Sequence, residues 1–329
     1  MASPGHESPL PSHAVLEQAA YWYATLRDGQ ASAQQRAHWQ AWLGADLMHE
    51  QAWRYVEGVS RNFEPLRGRP DMHLAADALG IAAERMHSRR RLLTAMAAIG
   101  TGTLCGWLGW REALLPPGLM AWGADYRTAT GEQRAITLAD GSRAWLNTAS
   151  AIDLAFSARA RRVTLLRGEV FIATAKGARP FYVETEHGRL QALGTRFNVR
   201  CEGERTWLAV YEGAVEIRTA KGAVRVVKAG QQAHFSARHI GDSQAADAAR
   251  EAWIQGSLLA DNISLREVVQ ELRRYRHGHL GVADEVADLR VYGNFPIQDS
   301  ERVLRMLASA LPIRIEQPLP WWASIEARR

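Results

Sequence analysis

The feature that most constrains this chain is an uncharged apolar run at residues 92–110, LLTAMAAIGTGTLCGWLGW. Its nineteen residues would span about 28 Å as an α-helix, close to the hydrocarbon thickness of a bilayer. Three arginines immediately precede the run: Arg89, Arg90 and Arg91. Positive flanks stay in the cytoplasm and aromatic rings such as Trp107 and Trp110 favour the headgroup region, so the run predicts a transmembrane helix with the N-terminus inside. A buried helix of a soluble domain is the alternative.

Charge is distributed unevenly around this run. Residues 1–88 carry seven arginines and ten acidic residues, whereas the whole chain has a net charge of +5. Beyond the arginine triplet no segment concentrates Lys and Arg into a stripe, which argues against direct binding to nucleic acid. The triplet, within SRRRLL at residues 88–93, resembles a twin-arginine export signal as well as a plain positive-inside flank, and both interpretations stay open. The G-x-x-x-G spacing of Gly102 and Gly106 either allows close contact between two such helices in a dimer or arises by chance, and both interpretations stay open.

Residues 13–60 show three short apolar patterns of helical period. Ser32 followed by Gln35 predicts a capping box at the start of the second helix, and Asp46 is expected to cap the third. Residues 64–70, with two prolines and a glycine, predict a hinge before an Ala-rich helix at about residues 72–86. The N-terminal region is therefore expected to be a small all-α head.

This head contains more tryptophan than a three-helix core needs. The four residues are Trp22, Trp39, Trp42 and Trp53. Each either packs in the core or contributes to an anchor surface for a partner, since aromatic side chains often dominate the energetics of interfaces. The net negative charge of the head suits a basic partner.

From residue 126 to about residue 235 the pattern changes to short alternating runs separated by turns. The pair Asp140 and Gly141 predicts a tight hairpin turn between residues 136–138 and 144–147. Strands at this spacing predict an all-β sandwich or rolled sheet.

After a polar linker at residues 238–252, the last part of the chain shows two βαβ-like halves. Ser264 with Glu267 predicts a second capping box, and Asp299 is expected to cap a further helix. Trp321 and Trp322, among prolines near the end, are expected to cover a strand edge or to join a partner contact.

Five motifs within the β region carry a resemblance to a known family. They are L-x-DGS-x-x-WLN-x-x-S (138–150), R-V-x-L-x-x-GEVF (162–171), RPFYV (179–183), LGTRFNVR (193–200) and V-x-EGAVEI (210–217). Their succession resembles the FecR family of transmembrane sigma-factor regulators of iron-siderophore uptake. The head resembles that family's N-terminal region in Ala19-Ala20-x-Trp22, Trp39-x-x-Trp42 and the step from His49 to Ala52.

The resemblance implies a bacterial inner-membrane anti-sigma factor, with a cytoplasmic head and a periplasmic C-terminal part. Its partners would be an extracytoplasmic-function (ECF) sigma factor on the head, a TonB-dependent siderophore transducer in the periplasm, and processing proteases. The four tryptophans of the head would bind the sigma factor, and the transducer would bind within residues 253–329. A membrane-anchored periplasmic binding or scaffold module without sigma regulation is the alternative.

The fold class expected on these grounds is multi-domain. It comprises a small all-α cytoplasmic head, one transmembrane helix, an all-β periplasmic sandwich or rolled sheet, and a C-terminal α+β (βαβ-like) module similar to the short N-terminal module of secretins and TonB-dependent transducers. The expected parts are a head (1–63), a hinge and juxtamembrane helix with the arginine triplet (64–91), a transmembrane helix (92–110), a FecR-like β domain (120–237), a linker (238–252) and the C-terminal module (253–329).

Gly194 and Thr195 are candidates for self-cleavage, as the resemblance implies. Glycine can adopt strained backbone angles, and the hydroxyl of the next residue can attack the preceding carbonyl to give an ester that water hydrolyses. The alternative is a tight turn in which the Thr195 side chain forms a hydrogen bond.

Other enzymatic functions find little support in the sequence. The P-loop, H-E-x-x-H and G-x-S-x-G patterns do not occur, and the two cysteines, Cys105 and Cys201, stand in very different contexts. His277 and His279 could ligate a metal, but no neighbouring His or Cys in the sequence completes a site. We therefore expect no cofactor and no metal.

Overall fold

The computed structural model describes residues 11–27, 31–63 and 123–328. Its α-helices are α1 His13–Arg27, α2 Ala33–Leu43, α3 Leu47–Phe63, α4 Leu265–Leu272, α5 Asp284–Ala287 and α6 Ser300–Ala310. Short 3-10 helices cover Ala248–Gln255 and Arg273–Tyr275. The hinge at residues 64–70, the helix at 72–86, the arginine triplet and the apolar run lie outside the described residues.

The first helices begin where the sequence predicts. The Ser32 hydroxyl accepts a hydrogen bond from the backbone N–H of Gln35 at 3.1 Å, and the Gln35 side chain accepts one from the backbone N–H of Ser32 at 2.7 Å. Asp46 likewise accepts from the backbone N–H of Met48 at 2.9 Å. These caps satisfy N–H groups that a helix start leaves without an intrahelical partner, so both predictions are confirmed.

Fourteen strands form the β domain. They are β1 Tyr126–Arg127, β2 Arg134–Thr137, β3 Arg143–Leu146, β4 Ala151–Phe156, β5 Arg161–Arg167, β6 Glu169–Ala173, β7 Phe181–Thr185, β8 Gly188–Ala192, β9 Arg196–Glu202, β10 Arg205–Glu212, β11 Ala214–Thr219, β12 Val224–Lys228, β13 Gln231–Phe235 and β14 Gln244–Ala245. Two seven-stranded sheets result, in the orders β1-β4-β5-β7-β8-β11-β12 and β14-β13-β10-β9-β6-β3-β2. All pairs are antiparallel except β5 with β7. The predicted large β domain is thus observed.

The core of this domain forms from the alternate side chains that the strands turn inward. In β5, for example, Val163 and Leu165 are buried while Thr164 between them is partly exposed. The β2–β3 hairpin closes at Asp140 and Gly141 as predicted, and Gly141 has φ +83°, a left-handed conformation that favours glycine.

The C-terminal module has five strands in two small sheets. They are β15 Ser257–Ser264, β16 His279–Val282, β17 Arg290–Pro296, β18 Ile313–Leu319 and β19 Trp322–Ala327. The predicted capping box of Ser264 and Glu267 and the cap by Asp299 are both present. The predicted order of strands and helices is observed, but the pairing differs. β15 pairs with β17, and β16 runs parallel to β19, a strand that the sequence did not indicate.

The expected fold class needs correction. Along the described stretches no helix has both the length and the apolar character to cross a membrane, and the predicted membrane segment at residues 92–110 falls outside them. The head also does not form a core of its own, because α1 and α3 share a hydrophobic cluster with the last strand of the C-terminal module. The structure therefore shows a helical region and a β domain, and among the described residues the helical region packs on the C-terminal module.

Candidate functional site

The buried face of the head is completed by two tryptophans from the other end of the chain. Small side chains of α1 and α3 pack with the residues at the start of β19: Ala19, Ala20, Ala52, Val56, Trp321 and Trp322. Trp322 is fully buried, and its indole N–H donates to the Glu17 carboxylate at 2.9 Å. The sequence predicts that these tryptophans cover a strand edge or join a partner contact, whereas in the structure they pack against helices α1 and α3.

Two of the predicted sigma-binding residues join helices of the head. The rings of Trp39 on α2 and Trp53 on α3 lie 5.0 Å apart, and Tyr23 of α1 contacts the Trp53 ring at 5.7 Å. Tyr23 also contacts Trp321 at 5.9 Å. This aromatic chain links the three helices to the C-terminal module, which is a packing role.

The other two predicted residues lie apart from that chain. Trp42 stacks on His49 at 4.5 Å, and its indole N–H donates to Gln18 at 2.8 Å. Trp22 is half-buried beside Tyr21, whose side chain is 60% exposed. The four tryptophans therefore do not form one patch, and Trp22 with Tyr21 is the pair that best suits contact with a partner.

The predicted self-cleavage site lies in the connection between β8 and β9. Gly194 has φ +80°, and the Thr195 backbone N–H donates to the Thr174 hydroxyl at 2.9 Å. The Thr195 carbonyl accepts from the backbone N–H of Thr174 at 3.0 Å. The Thr195 hydroxyl is buried and has no hydrogen-bond partner among the described residues. The alternative of a turn held by that hydroxyl is therefore not what the structure shows.

Two glycines explain how the sequence motifs meet. Gly213 has φ +75°, and a Cβ there would lie 2.3 Å from the Gly194 carbonyl oxygen and 2.9 Å from the Thr195 methyl carbon. Gly168 has φ +82°, and a Cβ there would lie 2.3 Å from the Ser150 hydroxyl. Any side chain at either position would clash with backbone or with a buried group, so these motifs depend on glycine for close packing.

A buried carboxylate connects the β domain to the C-terminal module. Glu169 on β6 accepts hydrogen bonds from the amides of Asn147 at 2.9 Å and Asn198 at 2.6 Å, and it forms an ion pair with Arg274. Burial by itself would raise the pKa of Glu169, but the positive charges of Arg274 and Arg200 and these hydrogen bonds outweigh it and lower the pKa. The carboxylate therefore remains charged at neutral pH and holds Arg274.

Tyr275 reinforces the same junction. Its hydroxyl accepts from the Asn147 amide at 2.7 Å, and its ring joins a buried cluster with Phe171, Trp253 and Ile297. Burial raises the pKa of the Tyr275 hydroxyl, so it stays protonated. The β domain and the module thus share both a polar network and an apolar cluster.

A cavity of about 360 Å³ opens beside this junction. Its walls include Trp207, Arg250, Trp253, Glu271 and the strand β15. The Arg250 guanidinium lies 4.8 Å from the centre of the Trp207 ring, and the indole N–H of Trp253 is buried with no acceptor in the described structure. Part of the cavity wall, including Trp253, Glu271 and β15, belongs to residues 253–329, where the sequence analysis expects the transducer contact.

The sequence motifs include Glu169, but its role was not predicted. The sequence does offer one signal of this role: Glu169 comes directly before the apolar strand residues Val170 and Phe171. A charged side chain in a buried strand needs a partner. Arg274 gave no comparable signal.

The three arginines that are expected to fix the orientation in the membrane, Arg89, Arg90 and Arg91, lie outside the described residues. Their role therefore stays a prediction, as does the inner-membrane location.

Comparisons with known proteins agree with this architecture. Residues 124–216 match the family model described as FecR protein, and residues 17–59 match a domain of unknown function, DUF4880. The resemblance to the FecR family is thereby confirmed, and the chain contains a FecR domain. No curated protein sequence matches the chain.

Two crystal structures resemble the fold. Both are described as a "putative anti-sigma factor" from Parabacteroides distasonis ATCC 8503, with 24% identity and a TM-score of 0.51. The similarity covers 61% of this chain and 98% or 97% of those chains. At this identity the similarity establishes a shared fold.

Proposed function

We propose that this protein regulates an ECF sigma factor, which it binds through its helical head. The observation that carries the proposal is the FecR domain at residues 124–216, accompanied by the match of the head at residues 17–59. A fold shared with a protein described as an anti-sigma factor supports it. The surface pair of Trp22 and Tyr21 supplies an aromatic anchor of the kind that dominates interface energetics.

The test is binding of the full chain to an ECF sigma factor of the same organism, measured by titration calorimetry. Replacing Trp22 and Tyr21 together with alanine is expected to weaken binding by about thirtyfold, the effect of losing roughly 2 kcal/mol at an interface anchor. Tyr292→Ala is the matched control, because Tyr292 on β17 is exposed to a similar extent, 65% against 60% for Tyr21.

Two results would contradict the proposal. If the wild-type chain does not bind the sigma factor, the scaffold alternative is favoured. If the head variant binds as tightly as Tyr292→Ala, the sigma factor does not use this surface.

On the input side, we propose that the signalling domain of a TonB-dependent siderophore transducer contacts the C-terminal module, and that proteolysis then releases the head. The proposal rests on the FecR resemblance. The structure adds that β15 and β17 pair only with each other among the described strands. Each strand therefore has an edge without a strand neighbour there, which is where an added strand from a partner can bind.

The Gly194–Thr195 connection supports a proposal of single-turnover self-cleavage. The Thr195 oxygen attacks the Gly194 carbonyl carbon, the Gly194–Thr195 C–N bond breaks, and the nitrogen takes up the hydroxyl proton to become a free amine. Water then hydrolyses the resulting ester, which releases the Gly194 carboxylate and regenerates the Thr195 hydroxyl. The left-handed Gly194 backbone and the unpartnered hydroxyl support this chemistry.

Thr195→Ala is expected to abolish the two fragments, whereas Thr195→Ser should retain them because it keeps the hydroxyl. Intact-mass spectrometry of the purified chain measures both. Thr219→Ala is the control, since Thr219 is equally buried at 3% exposure. A wild-type chain that stays intact, or fragments that persist in Thr195→Ala, would exclude self-cleavage at this bond.

A further inference from the structure

The hydroxyl of Thr174 takes the place of a main-chain acceptor beside the Gly194–Thr195 bond. The antiparallel pairing of β6 with β9 ends at Ala173 and Arg196, so Thr174 and Thr195 stand opposite each other one residue further along. The Thr174 backbone N–H donates to the Thr195 carbonyl at 3.0 Å, as in a regular antiparallel pair. The return bond is different, because the Thr195 backbone N–H donates to the Thr174 hydroxyl at 2.9 Å instead of to a main-chain carbonyl.

Building on the self-cleavage proposed above, we propose that Thr174 is a catalytic residue of that reaction, whose hydroxyl oxygen stabilises the leaving nitrogen. The nitrogen of Thr195 is one of the reacting atoms, and the Thr174 oxygen lies 2.9 Å from it. Thr174 thus contacts the group that must leave, whereas Thr195 supplies the nucleophile.

The hydrogen bond between these two atoms gains strength during the reaction. When the Thr195 oxygen bonds to the Gly194 carbonyl carbon, the hydroxyl proton passes to the nitrogen, which carries positive charge until the C–N bond breaks and a neutral amine leaves. A hydrogen bond from a charged donor is about twice as strong as one between neutral groups. Thr174 therefore stabilises the transition state more than the ground state, which accelerates the step. Its own hydroxyl is neither deprotonated nor consumed.

The Thr174 hydroxyl is oriented to accept at this nitrogen. It donates its own proton to the Thr195 carbonyl, 3.2 Å away, which directs a lone pair toward the Thr195 N–H. The Thr195 hydroxyl, in contrast, is buried and has no hydrogen-bond partner in the described part of the structure. One hydroxyl is therefore engaged at the leaving nitrogen while the other is free to attack.

Space beside the bond suits the second half of the reaction. A cavity of about 260 Å³ has Thr174, Leu193 and Gly194 among its lining residues. This volume exceeds what a single water needs. Water that hydrolyses the ester therefore has room next to the Gly194 carbonyl.

The rate of cleavage after cell-free synthesis of the full chain tests the role of Thr174. Translation is stopped and the intact chain is followed on a gel in saturating hydroxylamine, which cleaves the ester as it forms, so the observed rate is that of ester formation. Thr174→Val keeps the shape of the side chain and removes the acceptor, and we expect it to slow cleavage by about tenfold. Thr174→Ser keeps the hydroxyl and should stay within about twofold of the wild-type rate.

Thr185→Val is the matched control. The half-buried Thr185 hydroxyl accepts from the His187 backbone N–H at 3.3 Å and donates to the Gly188 carbonyl at 3.3 Å, which is the same bonding pattern away from the scissile bond. Urea unfolding of both valine variants, each combined with Thr195→Ala to keep the chain intact, compares their stabilities. If Thr174→Val is less stable than the control or does not fold, Thr174→Cys decides, because a thiol of nearly the same shape as serine is a weak acceptor and should cleave about threefold more slowly than Thr174→Ser.

The outcomes separate this role from self-cleavage itself. A wild-type chain that stays intact overturns both. If the wild-type chain cleaves but Thr174→Val cleaves as fast as Thr185→Val, or Thr174→Ser is as slow as the valine or cysteine variant, the role of Thr174 alone is overturned. Slow cleavage in Thr174→Val with a normal rate in Thr174→Ser supports it.

Discussion

Replacing Glu169 with alanine is expected to lower the free energy of unfolding by about 3–5 kcal/mol, because it breaks a buried ion pair and leaves the partly buried Arg274 guanidinium with Glu271 alone as its carboxylate partner. Two buried amides, of Asn147 and Asn198, lose their acceptor as well. Urea unfolding followed by tryptophan fluorescence measures the change. Since Glu169 and Arg274 lie on the β domain and the C-terminal module respectively, the variant should also loosen the two relative to each other, detectable as faster hydrogen exchange in β15.

Glu212→Ala is the control for this prediction. Its ion pair with Arg196 is exposed, with 61% of the Glu212 side chain accessible, so its loss should cost less than about 1 kcal/mol. A double variant, Glu169→Leu with Arg274→Met, should recover part of the stability, because it removes both charges together while the Asn147 and Asn198 amides still lack their acceptor. Equal losses in Glu169→Ala and Glu212→Ala would show that the buried pair does not hold the two parts together.

The same carboxylate implies a direction of pH dependence. The pKa of Glu169 is lowered in the folded chain from a reference value of 4.5, so its contribution to stability is present above about pH 4.5. That contribution is lost as the pH falls further and the carboxylate is protonated. The acid side of the stability profile should therefore be shallower in Glu169→Leu/Arg274→Met than in the wild-type chain.

Replacing Gly168 with alanine is expected to destabilise the β domain by about 2–5 kcal/mol. The left-handed backbone at φ +82° costs an alanine about 1–2 kcal/mol, and the clash of its Cβ with Ser150 adds a packing cost of about 1–3 kcal/mol. The clash cannot be relieved by rotating a long side chain, because the Ser150 Cα atom lies only 2.6 Å from the added Cβ. Thermal unfolding measures the effect.

Gly230→Ala separates the two causes. Gly230 has nearly the same backbone angle, φ +77°, but no atom lies within 4 Å of an added Cβ. Only the backbone cost of about 1–2 kcal/mol should remain. If both variants lose the same stability, close packing against Ser150 does not explain the glycine in this motif.

Local features of the fold could be predicted from the sequence because their donors and acceptors lie within a few residues of each other. The capping boxes at Ser32 and Ser264 and the turn at Gly141 are examples. The alternating pattern also identified the β domain. Each of these signals depends on short-range geometry, which a single sequence displays directly.

Contacts between distant residues could not be predicted in this way. Glu169 and Arg274 are 105 positions apart, and His279 meets His13, which stands near the start of the described chain. The parallel pairing of β16 with β19 was also missed. Here β19 itself was not recognised as a strand, because it follows a proline-containing segment that obscured its alternating pattern.

The packing of α1 and α3 on Trp321 and Trp322 makes the two ends of the described chain thermodynamically linked. A ligand that binds the undocked helices more tightly than the docked ones shifts the equilibrium toward undocking by its difference in affinity, and no more than that. Reciprocity then requires that a ligand which displaces the two tryptophans strengthens binding at the helices by the same factor. Two molecules that never touch each other would therefore bind this chain cooperatively, with the free energy of docking setting the upper limit of the effect.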